Sequence, residues 1–170
     1  LAAGIFILPF FLFSATAGQL ADKFDKSRLA RLVKVLEIVI MLIAGAGFWL
    51  HSLGSLLFAL FLLGLHSTLF GPVKYAILPQ HLREEELVGG NALIEAGTFV
   101  AILIGTLFGG LLAGIEGGKA WITAGCLLTA VLGYLTSRGI PEAPAPEPTL
   151  KINPNPFTET WRNIGFAREN

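Results

Sequence analysis

The run GQLADKFDKSR at residues 18–28 crowds Asp22, Lys23, Asp25, Lys26 and Arg28 between two long stretches that are nearly free of charge. Residues 1–21 carry none, and residues 38–73 carry none apart from the imidazoles of His51 and His66. A bilayer core is roughly 30 Å thick and takes about 20 apolar residues to cross as a helix. The charged run therefore reads as a tight hairpin loop joining two membrane spans. A polytopic membrane protein follows, with its function carried out in or across a bilayer.

Composition agrees. The chain of 170 residues is 54% hydrophobic and 14% charged, with mean hydropathy +0.69. A soluble domain has about 25% charged residues. The 20 glycines suit close helix packing in lipid, where small residues let backbones approach. Net charge is zero, which gives no reason to expect a nucleic-acid partner. The single Cys126 lies in an apolar run and reads as a small core or lipid-facing residue.

Five spans are expected, over about residues 1–20, 29–50, 56–78, 88–115 and 120–137. Pro9 is a tolerated kink in the first, and the third contains Gly71-Pro72. A turn at residues 51–55, a polar linker at 79–86 and a tight turn at Glu116-Gly117-Gly118-Lys119 join them. Of the 12 Lys and Arg residues, all but Lys119 fall on or near one side of this arrangement. By the positive-inside rule, the side bearing residues 18–28 is cytoplasmic. Residues 1–17 also have something of a signal peptide, but the basic leading segment is missing and further spans follow.

Beyond Ser137 the character changes. Pro141, Pro144, Pro146, Pro148, Pro154 and Pro156 forbid a helix over residues 139–156, and an extended, solvated loop is expected. Residues 157–170 read as an amphipathic segment, with Trp161, Ile164 and Phe166 at headgroup level and Arg162 and Arg168 towards water. The chain opens inside an apolar stretch without Met and closes on Arg168-Glu169-Asn170. It is expected to be a piece of a longer protein, whose next helix would follow.

The residues Gly18, Leu20, Asp22, Lys23 and Lys26 resemble the signature G-x-L-a-D-[RK]-x-G-[RK]-[RK] of the loop between the second and third helices of the major facilitator superfamily. Asp25 stands where that pattern has Gly, and Ser27 replaces a basic residue before Arg28. Gly18 would allow close helix approach, and Asp22 would cap a neighbouring helix or pair with a basic side chain. The resemblance implies an all-α membrane protein whose residues 1–138 are helices two to six of an amino-terminal six-helix half. It also implies that the loop holding Gly18, Asp22, Lys23, Lys26 and Arg28 acts as a conformational latch, and that residues 139–156 join the two halves. Gly105-Thr106-Leu107-Phe108-Gly109-Gly110 resembles the antiporter motif G-P-x-x-G-G, with Thr106 in place of its Pro.

Two further segments are similar to the bacterial lysophospholipid transporter branch. One is Phe70-Gly71-Pro72-Val73-Lys74-Tyr75-Ala76-Ile77-Leu78-Pro79, and the other is Leu87-Val88-Gly89-Gly90-Asn91-Ala92-Leu93-Ile94-Glu95. The closing residues 160–170 resemble forms of that branch fused to an acyltransferase and an acyl-carrier-protein synthetase. The implied substrate is lysophosphatidylethanolamine, moved across a bacterial inner membrane by alternating access. Two other readings stay open: a small-solute or drug exporter of the same fold, and a membrane anchor for a fused acyltransferase.

Ionisable groups at membrane depth are costly, so each is a candidate site. His66, Phe70 and Lys74 are spaced to share a helix face, approximately so because of Pro72. Lys74 either attracts a lipid phosphate or snorkels to the interface. Glu95, with Asn91 one turn before it, either receives a headgroup ammonium or pairs structurally with Lys74. Tyr75 adjoins the same set. Glu37, three residues after Lys34, is expected to form a local ion pair at the membrane interface. His66, Ser67 and Thr68 read as satisfied packing residues, with substrate contact as the alternative; a proton-relay role for His66 lacks an evident carboxylate partner. Trp49, Trp121 and Tyr134 read as interfacial anchors. No phosphate loop, H-E-x-x-H or metal-spaced Cys/His cluster occurs, and His81 does not begin an H-x-x-x-x-D acyltransferase motif. Neither enzyme activity nor a cofactor is expected of these residues.

Overall fold

The computed structural model describes residues 1–153, and among these it is entirely helical with irregular connections. The expected amphipathic segment at residues 157–170 lies outside the described residues. The helices are α1 (Ala2–Lys23), α2 (Lys26–Trp49), α3 (Leu53–Ala76), the short α4 (Leu78–His81), α5 (Glu84–Ala113) and α6 (Gly118–Ser137). All but α4 are long and apolar enough to cross a membrane.

Each boundary has a local cause. The expected hairpin loop is mostly helix: α1 continues to Lys23, α2 starts at Lys26, and only Phe24 and Asp25 lie between. Asp25 is the reason, because its carboxylate accepts from the Arg28 amide at 2.9 Å and caps α2. Ser52 caps α3, its hydroxyl accepting from the Ser55 amide at 3.3 Å. α5 opens with a reciprocal cap, in which the Arg83 amide donates to Glu86 at 3.0 Å. Glu84, Glu85 and Glu86 fill its first turn, where the helix dipole favours negative charge. Gly117 turns into α6 with φ 75°, a conformation open to glycine. Part of the linker expected at residues 79–86 is the single turn α4, with Pro79 near its start, where a missing amide costs nothing.

α3 is central, packed against α1 and α2, while α6 packs on α2. The crossings are built from small residues, with Ala17, Ala21, Ala30, Ala59 and Ala130 all buried. That is the membrane solution, where association depends on backbone proximity rather than on bulky apolar cores. α1 and α3 meet most closely at Gly64, where a β-carbon would overlap the Phe6 carbonyl and crowd the Pro9 ring. Gly45 does the same for α2 and α6, since a β-carbon there would lie 2.7 Å from Thr123 Cγ2. Gly18 does not, because a β-carbon there meets nothing within 4 Å. The close approach expected at Gly18 belongs to Gly64 instead. α5 leans on α4 and α6 and buries none of its residues.

Candidate functional site

The residues of the expected latch gather at one end of the bundle, beneath a strap formed by the chain after α6. The Lys26 amide donates to the Ala143 carbonyl at 2.8 Å, and the Glu147 amide to the Asp22 carbonyl at 3.0 Å. Arg31 Nη2 donates to Ile140 O at 3.1 Å, Gln80 Nε2 to Pro144 O at 3.1 Å, and the Asn153 amide to Gln19 Oε1 at 3.0 Å. Ala143 is fully buried at 0% exposure. As far as residue 153 the prolines exclude helix and most of the segment is exposed, as expected, but it is pinned to the bundle and not free of it. These five hydrogen bonds tie it to α1, α2 and α4.

Within the latch the roles differ in part from the expected ones. Asp25, not Asp22, caps α2; the exposed Asp22 instead attracts the basic side chain of Lys26, the other role expected of it, and its backbone carbonyl accepts from the strap. Burial works to raise the Asp25 pKa, but hydrogen bonds from the Ser27 hydroxyl and the Arg28 and Ala143 amides outweigh it. With the Arg28 charge added, the carboxyl is held below the usual carboxylate range. Lys26 is buried, and its Nζ has no hydrogen-bond partner among the described residues. The carboxylates of Asp22 and Asp25 supply the attraction that offsets this burial. Lys23 lies in the last turn of α1, its Nζ 5.9 Å from the centre of the Phe24 ring.

A second cluster joins α3 to α5. Lys74 Nζ lies 3.7 Å from Glu95 Oε1. The Tyr75 hydroxyl donates to the same Glu95 oxygen, and Lys74 Nζ sits 4.8 Å over the Tyr75 ring. Lys74 is 22% exposed and Glu95 43%, so both remain reachable. Asn91 stays outside this cluster, its Nδ2 donating to the Leu87 carbonyl of its own helix at 3.0 Å. His66 is also elsewhere. It faces Glu37 on α2, with Nε2 3.7 Å from Glu37 Oε2, and stacks on Phe70. Sequence reasoning placed His66 with Lys74 and missed Glu37 as its neighbour, because that pairing depends on how α2 crosses α3. Thr68 is satisfied as expected, donating to Gly64 O at 2.8 Å. Next to the latch, an apolar groove of about 570 Å³ between α1, α2 and α3 is bounded by Leu20, Phe24, Leu32, Val39, Leu69 and Val73. Among the described residues no group of His, Cys, Asp and Glu assembles as a metal site.

Comparison with known proteins agrees with this architecture. The model for the Major Facilitator Superfamily matches residues 1–168. A lysophospholipid transporter LplT of Serratia proteamaculans is 30% identical over 158 residues, which cover 93% of this chain and 38% of that protein. The protein of that name from Klebsiella pneumoniae is 29% identical over 171 residues, covering 94% of this chain and 40% of its own length. That from Salmonella newport is 33% identical over 130 residues, with 76% of this chain and 30% of its own length covered. The chain thus spans about two fifths of the length of the first two relatives. These relatives are named as transporters rather than enzymes. No solved structure gives a significant match.

Proposed function

The chain belongs to the Major Facilitator Superfamily, and from that premise we propose that it forms part of a lysophospholipid transporter in a bacterial inner membrane. Its substrate is lysophosphatidylethanolamine, moved to the cytoplasmic leaflet by alternating access. The chain supplies helices two to six of an amino-terminal half, with the carboxy-terminal half completing the central site. The strapped end, rich in Lys and Arg, faces the cytoplasm.

The observation that carries the substrate assignment is the opposed pair Lys74 and Glu95, which face each other from two helices. Phosphoethanolamine is a zwitterion, with an anionic phosphate and a cationic amine a few bonds apart. Lys74 takes the phosphate as a compact point charge. Glu95, already held by the Tyr75 hydroxyl, takes the ammonium. The substrate thereby replaces one ion pair with two, which offsets the cost of parting Lys74 from Glu95. The single acyl chain suits an apolar groove such as that between α1, α2 and α3, where each buried methylene contributes about 0.8 kcal/mol. The gate is the segment holding Gly18, Asp22, Lys23, Lys26 and Arg28, clamped by the strap.

The test follows labelled lysophosphatidylethanolamine in cells that lack their own importer and express the full-length protein carrying this chain. Import is expected, with near-complete loss in Asp22→Ala and a clear reduction in Lys74→Ala. Well-expressed intact protein that imports none of the lipid overturns the substrate assignment. An exporter of another solute, or an anchor for an acyltransferase, then becomes the reading to pursue.

A further inference from the structure

Midway through the bundle, away from both the strap and the Lys74–Glu95 pair, three ionisable side chains meet. Lys34 Nζ lies 2.8 Å from Glu37 Oε2 on the same helix. His66 Nε2, on α3, lies 3.7 Å from that same oxygen. The His66 side chain is 10% exposed and that of Glu37 19%. Nε2 itself is buried with no hydrogen-bond partner among the described residues. Glu37 is eleven residues into α2, about 16 Å from the helix start at 1.5 Å per residue. The pairing is therefore deep in the span, and not at the interface where the Lys34–Glu37 pair is expected from the sequence.

We propose that Glu37 and His66 form a proton-binding site between α2 and α3, in which Lys34 and a protonated His66 compete for one carboxylate oxygen. Two observations carry this. A neutral imidazole has one donor and one acceptor nitrogen, whereas the protonated ring donates from both. Taking up a proton from water therefore guarantees an N–H on Nε2, the atom that now faces Glu37 unpaired. The separation of 3.7 Å exceeds that of a charge-assisted hydrogen bond, which runs about 2.7–2.9 Å. Closing that gap takes a shift of roughly 1 Å between the two side chains, and the bond so made links α3 to α2.

The surroundings favour competition over a fixed bond. Phe70 lies under both rivals: its ring stacks on His66 with centroids 6.0 Å apart, and Lys34 Nζ sits 4.9 Å from its centre. Lys34 thus keeps a cation–π contact when Glu37 turns to His66. From α6, Gly133 passes beside the Lys34 side chain, its β-carbon position 3.5 Å from Nζ. The charged residues of α6 lie at its ends, in Lys119 and at Arg138 just beyond, and Tyr134 is its only phenol. α1 carries charge only at Asp22 and Lys23, in its last turn. Glu95 on α5 is engaged by Tyr75 and Lys74. Among the described residues, Lys34 and Glu37 are therefore the charges that act directly on His66.

The test is independent of lipid transport. The full-length protein carrying this chain, labelled with nitrogen-15 at histidine, is titrated in phospholipid nanodiscs between about pH 4 and pH 9, which brackets an ordinary histidine. The His66 resonances are assigned by their loss in His66→Gln, and the exposed His51 and His81 serve as references. Glu37→Gln is expected to lower the His66 midpoint, and Lys34→Met to raise it. Each shift should reach about one pH unit, a tenfold change in proton affinity, with His51 and His81 unmoved. A packing role alone does not produce opposite shifts. Midpoints that stay put, or move in the same direction in both variants, overturn the proposal. Should a variant fail to fold, the wild-type protein decides: the Glu37 carboxyl carbon-13 shift is expected to move at the His66 midpoint. A Glu37 signal indifferent to that titration, or a His66 that never titrates, also overturns it.

Discussion

The amide of Lys26, the first residue of α2, donates to the carbonyl of Ala143, in the segment after α6, at 2.8 Å. One hydrogen bond thus ties the start of the second helix to residues more than a hundred positions later. Around it, Ala143 is wholly buried and Lys26 is sealed from water. Enlarging Ala143 should therefore unseat the strap. Ala143→Leu is expected to cost about 1–3 kcal/mol through overpacking. It should also expose Lys26 to amine-reactive reagents that leave it unlabelled in the unaltered protein, and peptide mass spectrometry reads both states.

Asp25 and Asp22 should separate stability from gating. Asp25→Ala removes the α2 cap and is expected to cost about 0.5–2 kcal/mol at neutral pH. The Asp25 carboxyl is held below its ordinary pKa in the folded protein. Its contribution is therefore fully present above the unfolded carboxylate value and is lost as pH falls through the lower folded value. The stability gap between the unaltered protein and Asp25→Ala should narrow below about pH 4, as followed by thermal unfolding in detergent. Asp22→Ala leaves the cap in place but withdraws part of the attraction on buried Lys26, so it should destabilise less than Asp25→Ala, while abolishing import.

Two glycines on α1 and α3 make opposite predictions. Gly64→Val drives a side chain into the α1 backbone at Phe6 and should destabilise by at least about 1–3 kcal/mol. Gly18→Ala meets open space, and replacing glycine within a helix gains roughly 0.5–1 kcal/mol. Melting temperatures measured side by side decide the matter, and a destabilised Gly18→Ala would contradict the packing described here.

The Lys74–Glu95 pair can be tested by exchange. Lys74→Glu and Glu95→Lys, made singly, should each lower lipid import about tenfold, the effect of losing roughly 1.4 kcal/mol of headgroup binding. Combined, they restore an ion pair between α3 and α5, so thermal stability should recover. Import should stay low, because the phosphate then meets a carboxylate where Lys74 stood. Recovery of import along with stability would reduce the pair to a structural link.

Much of the architecture was readable from the chain alone. Five apolar runs of sufficient length set the number of candidate spans, and Glu116-Gly117-Gly118-Lys119 marked a turn that Gly117 makes with its positive φ. The prolines after Ser137 ruled out helix there. The spacing of Lys34 and Glu37 implied the local ion pair that forms at 2.8 Å. These features are legible because each depends on hydrophobicity, backbone propensity or spacing within one or two turns.

The tertiary structure alone decided which residues meet across helices. Lys26 is buried beneath Ala143, more than a hundred positions away. Gly64 rather than Gly18 holds the close crossing. The Pro-rich segment lies docked on the ends of α1 and α2, and His66 finds Glu37 on a neighbouring helix. Local spacing ranks the faces of one helix, but it carries no information on the angle at which two helices cross or on the level at which their side chains meet. Those follow from packing small residues against one another and from satisfying every buried polar group, which are properties of the assembled bundle.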